Sequence, residues 1–146
     1  LAIDNLRIHP ETTIEAWLEP LSEAFTKSTG VPVQLSLQVD QLDLLPEFQA
    51  QLVRIVQEAL NNVRKHAGAG QVSIVLRGWS NQYILEIIDN GRGFAPEDIP
   101  LSAQHGLRGM RERAELIGAD FQIISQPERG TTVRVAIPQE IREGIE

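Results

Sequence analysis

Apolar residues recur along this chain with two different periods, and the order of these periods limits the fold more than any other feature. Helical spacing runs over residues 14–25 and again over residues 52–63, because apolar residues three and four apart share one face of a helix. Between them, residues 31–39 alternate apolar and polar side chains, which is the period of a strand with one exposed face. The first half of the chain therefore predicts helix, strand and helix.

Local signals predict where the first two helices begin and end. Thr12-Thr-Ile-Glu15 has the pattern of a capping box, in which a threonine and a glutamate three residues later satisfy N–H groups at a helix start. Gly30 follows the first helix, and Pro46-Glu47 is typical of the first turn of the second. We expect the second helix to end at the small-residue cluster Ala67-Gly-Ala-Gly70.

The second half of the chain predicts two strand pairs, with a long irregular segment and a third helix between them. The predicted elements are strands at 72–77 and 83–89 joined by a turn at 78–81, an irregular segment at 90–105, a helix at 106–117 and strands at 121–125 and 131–137. An irregular segment of about sixteen residues is unusual in a compact domain and is commonly a lid or binding loop. Together the segments predict an α+β fold, an α/β sandwich whose mixed, mostly antiparallel sheet carries helices on one face.

Composition and charge exclude several kinds of protein. At 146 residues, with 42% hydrophobic and 23% charged residues, the chain is long enough for one domain with a buried core. The absence of cysteine excludes disulfides and thiolate metal sites and fits a reducing compartment. The net charge of −7 argues against nucleic-acid binding, which needs a basic surface. No apolar run approaches the roughly 20 residues of a membrane span, and because the chain does not begin with Met we expect it to be part of a longer protein.

Three polar side chains recur on the second predicted helix at intervals that bring them to one side. Glu58 and Asn62 are four residues apart, and Lys65 follows three residues later, so that they project from one face about one turn apart. A carboxylate, an amide oxygen and an ammonium group in this order suit a hydrated Mg²⁺ ion and its phosphates. The same pattern is also typical of the solvent-exposed face of an amphipathic helix.

The segment Asp89-Asn-Gly-Arg-Gly93 follows an apolar strand directly. A carboxylate there can accept a hydrogen bond from the exocyclic amine of adenine, and Gly91 and Gly93 let the backbone approach a flat ring. Asp-Asn-Gly is equally typical of a turn. The segment is not a dinucleotide fingerprint, because Pro96 occupies the position of the third glycine and no helix follows directly.

Two further glycine segments complete the set of motifs. Gly106-Leu-Arg-Gly109 opens the third predicted helix, where unpaired N–H groups and the positive end of the helix dipole suit an anion such as polyphosphate. Gly130-Thr131 begins the last strand, where the Thr131 hydroxyl can hydrogen-bond a base edge. In the alternative interpretation the glycines are hinges and Thr131 is an ordinary strand residue. The chain contains no Gly-Lys pair, so these motifs do not form a Walker P-loop.

In their order, these segments resemble the boxes of the ATP-binding catalytic domain of sensor histidine kinases, within the Bergerat-fold (GHKL) superfamily of gyrases, chaperones, histidine kinases and MutL. Residues 57–66 resemble its N box, residues 89–94 its first glycine box and residues 105–113 its second. The Lys65-His66-Ala67 ending and the Gly-Thr-Thr-Val strand at 130–133 are similar to the kinases that act with NarL/LuxR-type response regulators, including the nitrate sensors. The resemblance runs from about residue 17 to residue 137.

The resemblance implies ATP and Mg²⁺ as cofactors and a role for each polar residue. Asp89 would bind the adenine amino group, Asn62 would ligate Mg²⁺, and Lys65 would act catalytically by contacting phosphate. Glu58 would be the second catalytic residue, beside the metal and its water, either as a base or as a metal neighbour. The remaining implied nucleotide contacts come from the glycine boxes and the last strand: Gly91, Gly93, Gly106, Leu107, Arg108, Gly109 and Thr131.

The resemblance also implies partners and a place in a larger protein. No phosphoacceptor histidine of the family's His-Asp/Glu kind is present, so the γ-phosphoryl group would go to a histidine on the protein's own dimerisation domain, outside this chain. A NarL/LuxR-type response regulator would receive it next. Residues 1–12 would end the linker from the dimerisation domain, residues 13–138 would form the ATPase-like domain, and residues 139–146 would be a charged tail. The parent would be a membrane-anchored bacterial protein with this domain in the cytoplasm.

Two other functions stay open at this point. A GHKL ATPase of the clamp type or a serine kinase would use the same fold for another reaction, although the short lid argues against a clamp. A degenerate nucleotide-binding module would keep the pocket without transferring phosphate.

Overall fold

The computed structural model describes residues 13–39 and 42–139, and within them the predicted order of elements is confirmed. The elements are α1 (Ile14–Thr29), β1 (Val33–Gln38), α2 (Pro46–Asn62), β2 (Val72–Trp79), β3 (Gln82–Asp89), α3 (Leu101–Leu116), β4 (Asp120–Ser125) and β5 (Thr131–Pro138). A π-helical turn, Val63–Ala67, continues α2, and a 3₁₀ turn, Pro96–Asp98, precedes α3. The linker predicted for residues 1–12 and nearly all of the predicted charged tail lie outside the described residues.

The five strands form one mixed sheet in the order β1-β2-β3-β5-β4. β1 runs parallel to β2, and the other neighbouring pairs are antiparallel, which confirms the predicted mixed, mostly antiparallel sheet. The register pairs Asp89, the last residue of β3, with Thr131, the first residue of β5. Two motifs that are far apart in the sequence therefore meet at one end of the two central strands.

The helices cover one face of the sheet, as predicted. Inward-facing side chains of the strands alternate with less buried ones, because successive residues of a strand point to opposite faces. The buried strand residues of this face include Val72, Ile74, Leu76, Tyr83, Leu85, Ile87, Phe121, Val133, Val135 and Ile137, and they pack in one cluster with helix residues such as Leu18, Leu21, Phe25, Leu52, Ile55, Leu60, Met110 and Ala114. On the opposite face Glu86 pairs with Arg134 at 3.2 Å and with Arg77 at 3.9 Å. Within the described part of the chain, no helix is both long enough and apolar enough to cross a membrane.

The first helix begins one residue later than its capping box predicts. The N-cap residue is Thr13, whose Oγ1 accepts a hydrogen bond from the backbone N–H of Ala16 at 3.3 Å. The third helical position is therefore held by an alanine instead of Glu15, and the reciprocal glutamate contact of a capping box is not formed. The end of α1 at Gly30, which has φ of 77°, and the start of α2 at Pro46 agree with the prediction.

The third helix differs most from the prediction, because α3 begins at Leu101 and not at Gly106. The glycines at 106 and 109 suggested a helix start, but a buried stripe at helical spacing continues on their N-terminal side. Ala103, Met110 and Ala114 are buried on the face of α3 that packs against the core. Packing of this stripe outweighs the poor helix propensity of glycine, which is about 1 kcal/mol per residue. The irregular segment is accordingly shorter and spans residues 90–100.

Candidate functional site

A cleft opens between the end of α2, the paired ends of β3 and β5, and the first turns of α3. We call it the main cleft, and its lining residues are Ala59, Asn62, Val63, His66, Ala67, Ile87, Asp89, Gly93, Phe94, Pro100, Ala103, Leu107, Thr131 and Val133. Most of these side chains are apolar. The main cleft therefore suits a flat, largely apolar group that also carries a few hydrogen-bonding atoms.

Asp89 is the buried carboxylate of the main cleft. It is 6% exposed and is the only buried acidic residue among those the structure describes. Its Oδ1 accepts a hydrogen bond from the backbone N–H of Gly91 at 2.8 Å, and the backbone N–H of Thr131 provides a second. Burial raises the pKa of Asp89 above its ordinary value, and these two hydrogen bonds oppose that rise. Since a carboxylate has about four acceptor sites, Asp89 can still accept from a ligand amine.

Three glycines hold the loops around Asp89 in close contact. A Cβ on Gly91 would overlap the carbonyl of Ala67, and one on Gly93 would overlap the carbonyl of Gln126. A Cβ on Gly130 would overlap the carbonyl of Asp89 itself. Gly93 and Gly130 also have positive φ values of 59° and 78°, which other residues adopt at a cost. These glycines therefore serve backbone-to-backbone packing, and of the three only Gly93 also lines the main cleft.

The polar residues of α2 are divided among three different surfaces. Asn62 lines the main cleft, whereas Glu58, one turn earlier, lines a second pocket between α2 and α3, nearer the start of α2. Lys65 is exposed and lies in an outer groove with Arg92 and Asp98 at the mouth of the main cleft. The prediction of a single polar face holds only in part, because Lys65 belongs to the π-helical turn, which winds differently from an α-helix.

Gly106 packs directly on the polar residues of α2. A Cβ at this position would lie 2.5 Å from Oε2 of Glu58 and 3.1 Å from both Oδ1 and Nδ2 of Asn62. Gly106 is the sixth residue of α3, so the predicted helix start there is wrong, and its N–H group is not one of the unpaired groups of a helix N-terminus. Of its neighbours, Leu107 lines the main cleft and Gly109 lines the second pocket. Arg108 is exposed and lines neither of these two cavities.

Comparison with known proteins identifies the family. Residues 48–141 match the sequence profile described as histidine kinase-, DNA gyrase B-, and HSP90-like ATPase. The chain belongs to this family. Sensor histidine kinase LiaS of Bacillus subtilis is 35% identical over 121 residues, and Sensor protein VraS of Staphylococcus saprophyticus is 36% identical over 108 residues. These matches cover 83% and 74% of this ATPase-family chain but 33% and 31% of the relatives, so it spans about a third of their length.

Solved histidine kinases share the fold of this ATPase-family domain. A histidine kinase domain from the blue-light activated kinase of Erythrobacter litoralis EL346 has a TM-score of 0.72 and 23% identity, and covers 92% of this chain and 65% of that one. The histidine kinase AdeS of Acinetobacter baumannii has a TM-score of 0.74 and 20% identity, with coverages of 95% and 73%. These likenesses confirm the predicted α+β fold.

Two hydroxyl groups of the ATPase-family domain were not singled out by sequence reasoning. Oγ of Ser102 lies 3.0 Å from Nε2 of His66 and so joins the first turn of α3 to the end of α2. Oγ of Ser125 lies 2.8 Å from Oγ1 of Thr131 and accepts a hydrogen bond from the backbone N–H of Phe94 at 3.0 Å. The Thr131 hydroxyl, predicted to contact a base, is therefore already hydrogen-bonded to Ser125 of the neighbouring strand β4. The contacts of Ser102 with His66 and of Ser125 with Phe94 join residues 36 and 31 positions apart, so no local pattern in the sequence indicates them.

Proposed function

We propose that this chain is the ATP- and Mg²⁺-binding catalytic domain of a two-component sensor histidine kinase. One observation carries the proposal: a buried carboxylate, Asp89, lies in the same apolar cleft as the amide of Asn62. A ligand that satisfies both must present an amine at one end of a flat group and a metal-bound anion at the other. Adenosine triphosphate with Mg²⁺ meets both requirements. The relatives' names, which identify sensor kinases, support the same conclusion.

The base-binding end follows from the chemistry of the main cleft. Asp89 would accept a hydrogen bond from the exocyclic amine of adenine, while Ile87 and Val133 would contact the faces of the ring. Leu107 and Phe94 would complete the apolar wall from the lid side. A guanine base presents a carbonyl oxygen at the position of the adenine amine, and two acceptors would then face one another. The arrangement therefore favours adenine.

The phosphate end follows from the residues at the other side of the main cleft. Mg²⁺ prefers oxygen ligands and keeps several waters, so the Asn62 amide oxygen together with phosphate oxygens is a sufficient donor set. When bound, the ion would neutralise charge on the phosphates. Lys65, in the outer groove at the cleft mouth, would contribute a further positive charge. Glu58, one turn before Asn62 on α2, would lie toward the terminal phosphate of the triphosphate.

The reaction that we propose is transfer of the γ-phosphoryl group to a histidine on the protein's own dimerisation domain. Phosphoryl transfer depends mainly on positioning and charge neutralisation, and the residues of this domain offer both. A response regulator of the NarL/LuxR type would receive the phosphoryl group next, and the parent would be a membrane-anchored bacterial sensor with this domain in the cytoplasm. Support for this placement comes from the bacterial sensor kinases among its relatives.

Calorimetric titration of Mg²⁺-ATP into the chain and into the Asp89→Asn variant tests the nucleotide site. We expect the variant to bind ATP at least about tenfold more weakly, because its amide would lose a charge-assisted hydrogen bond to the base. Asp120→Asn is the control, since Asp120 is exposed at the start of β4, on a different surface. Equal ATP affinity in all three proteins would contradict the assignment of Asp89.

A second measurement separates the kinase from its alternatives. Incubation of the chain with ATP and a purified dimerisation domain should transfer phosphate to histidine, whereas the chain alone should release little inorganic phosphate. Rapid ATP hydrolysis by the isolated chain would favour an ATPase instead. Good ATP binding with neither transfer nor hydrolysis would indicate a degenerate nucleotide-binding module.

A further inference from the structure

The second pocket holds two arginines that lie outside the main cleft and to which the sequence motifs assign no role. It lies between α2 and α3 and is lined by Arg54, Gln57, Glu58, His105, Gly106, Gly109, Met110 and Arg113. The helices run antiparallel here, because Gly106 lies against Glu58 and Asn62 while Arg113 reaches back to Gln51. Arg54 and Glu58 are four residues apart on α2, and Gly109 and Arg113 are four apart on α3, so each pair shares a helix face.

Both guanidinium groups are held in place by neutral partners. Nη1 of Arg113 donates to Oε1 of Gln51 at 3.0 Å, and Nη1 of Arg54 donates to Oε1 of Gln57 at 3.4 Å. Within the described residues neither arginine has a carboxylate within 4.0 Å, although Glu58 lines the same pocket. An arginine carries five N–H donors. Two half-buried positive charges therefore face the pocket with donors left for an anion.

The position of the pocket relative to the main cleft suggests which anion this is. Asn62, Glu58 and Arg54 follow one another along α2 at four-residue intervals, each of which advances the helix by about 6 Å. Asn62 lines the main cleft, and Glu58 and Arg54 line the second pocket. A nucleotide whose base lies at Asp89 and whose metal lies at Asn62 would extend its last phosphate along this row. Gly106, which has no side chain, is the residue of α3 that lies against both Glu58 and Asn62, where the two cavities adjoin.

We infer that Arg54 and Arg113 form an anion-binding pair that holds the γ-phosphoryl oxygens of the nucleotide during transfer. This inference rests on the proposed function. In the transfer, a nitrogen of the acceptor imidazole bonds to the γ-phosphorus while the bond from that phosphorus to the β,γ-bridging oxygen breaks. ADP leaves with the electron pair, and the imidazole proton passes to the Glu58 carboxylate. The planar guanidinium groups suit the phosphoryl oxygens, whose charge they neutralise.

The test compares a triphosphate with a diphosphate, because only the former carries the group that the arginines hold. Calorimetry with Mg²⁺ would measure the affinities for ADP and for the nonhydrolysable triphosphate AMP-PNP in the chain, Arg54→Gln and Arg113→Gln. We expect each substitution to weaken AMP-PNP binding about tenfold and to change ADP binding less than about twofold. Thermal unfolding of each variant would confirm that it is folded.

Two control variants separate a phosphate contact from a structural one. Arg111→Gln removes a positive charge from the same helix, but Arg111 lies over the ring of Phe121, 5.1 Å from its centroid, and not in the pocket. Gln51→Ala removes the hydrogen bond between the helices but keeps the positive charge of Arg113. Both should keep the wild-type preference for AMP-PNP over ADP.

Three outcomes overturn the inference. The first is an unchanged ratio of AMP-PNP to ADP affinity in both arginine variants. The second is a Gln51→Ala variant that reproduces the loss in Arg113→Gln, because the arginine would then only hold the helices together. The third is a wild-type chain that binds neither nucleotide, which would also refute the proposed function. Normal ADP binding with an unchanged ratio would refute only the arginine pair.

Discussion

Two glycines three residues apart on α3 should respond differently to the same substitution. Gly106 and Gly109 both lie inside α3, as its sixth and ninth residues when Leu101 is counted as the first. A Cβ on Gly109 would have no other atom within 4 Å, whereas one on Gly106 would lie 2.5 Å from Oε2 of Glu58. Gly109→Ala and Gly106→Ala thus form a matched pair that differs only in the neighbouring atoms.

The magnitudes follow from helix propensity and from the contact with Glu58. Replacing glycine by alanine inside a helix stabilises the folded state by about 1 kcal/mol, and Gly109→Ala should gain this amount in full. For Gly106→Ala the same gain is offset, because the Glu58 side chain must leave its position at a cost of about 0.5–1.5 kcal/mol. We therefore expect no net change in the free energy of unfolding for Gly106→Ala. The difference between the two variants should be about 1 kcal/mol.

Urea unfolding followed by circular dichroism would measure these free energies, and thermal unfolding should separate the two midpoints by about 3 °C. Equal stabilisation by both variants would refute the contact between α3 and Glu58. No stabilisation by Gly109→Ala would refute a helical conformation at Gly109.

Three further predictions concern Asp89, the glycines at two turns, and the first turn of α3. Burial raises the folded-state pKa of Asp89, so the stability that its protonated form contributes is full below the unfolded-state pKa and is lost as the pH rises through the folded-state pKa. The free energy of unfolding of Asp89→Asn, measured with urea, should therefore increase relative to that of the wild type between pH 4 and pH 7. A difference that stays constant over this range would contradict the raised pKa. Gly130→Ala should cost about 3 kcal/mol in the same assay because its Cβ would overlap a backbone carbonyl, whereas Gly118→Ala, with φ of 68° but open space, should cost about 1–2 kcal/mol. Ser102→Ala should speed hydrogen exchange in the first turn of α3 about two- to fivefold relative to β3, because it removes the hydrogen bond to His66. Unchanged exchange would show that this hydrogen bond does not stabilise the first turn of α3.

Hydrophobic periodicity was sufficient to predict most of the helices and strands, because the residues that face the core also favour the local conformation. The stripe through Leu52, Ile55 and Leu60 predicted α2, and these residues are buried in the structure. In these elements local propensity and core packing favour the same conformation. The prediction is therefore confirmed wherever no glycine or proline interrupts the pattern.

The start of α3 was mispredicted because local and long-range effects disagree there. Gly106 and Gly109 lower helix propensity locally, and the proline at 100 and the irregular residues before it obscure the pattern. The stripe through Ala103, Met110 and Ala114 was present in the sequence, but two of its three members are alanines, which carry little hydrophobic signal. Only packing against α2 shows that the helix continues N-terminal to Gly106.

The candidate site was also predicted only in part, because the motifs identify its residues but not the cavity that each residue lines. Asn62 and Glu58 appear as one motif in the sequence, yet a single turn of α2 places them in two different cavities. The helix α3 lines both cavities and lies on both side chains at Gly106. Any displacement of α3 must therefore change the main cleft and the second pocket together. Such coupling would link nucleotide binding at Asp89 to the arrangement of Glu58, Arg54 and Arg113, although these residues share no motif with Asp89.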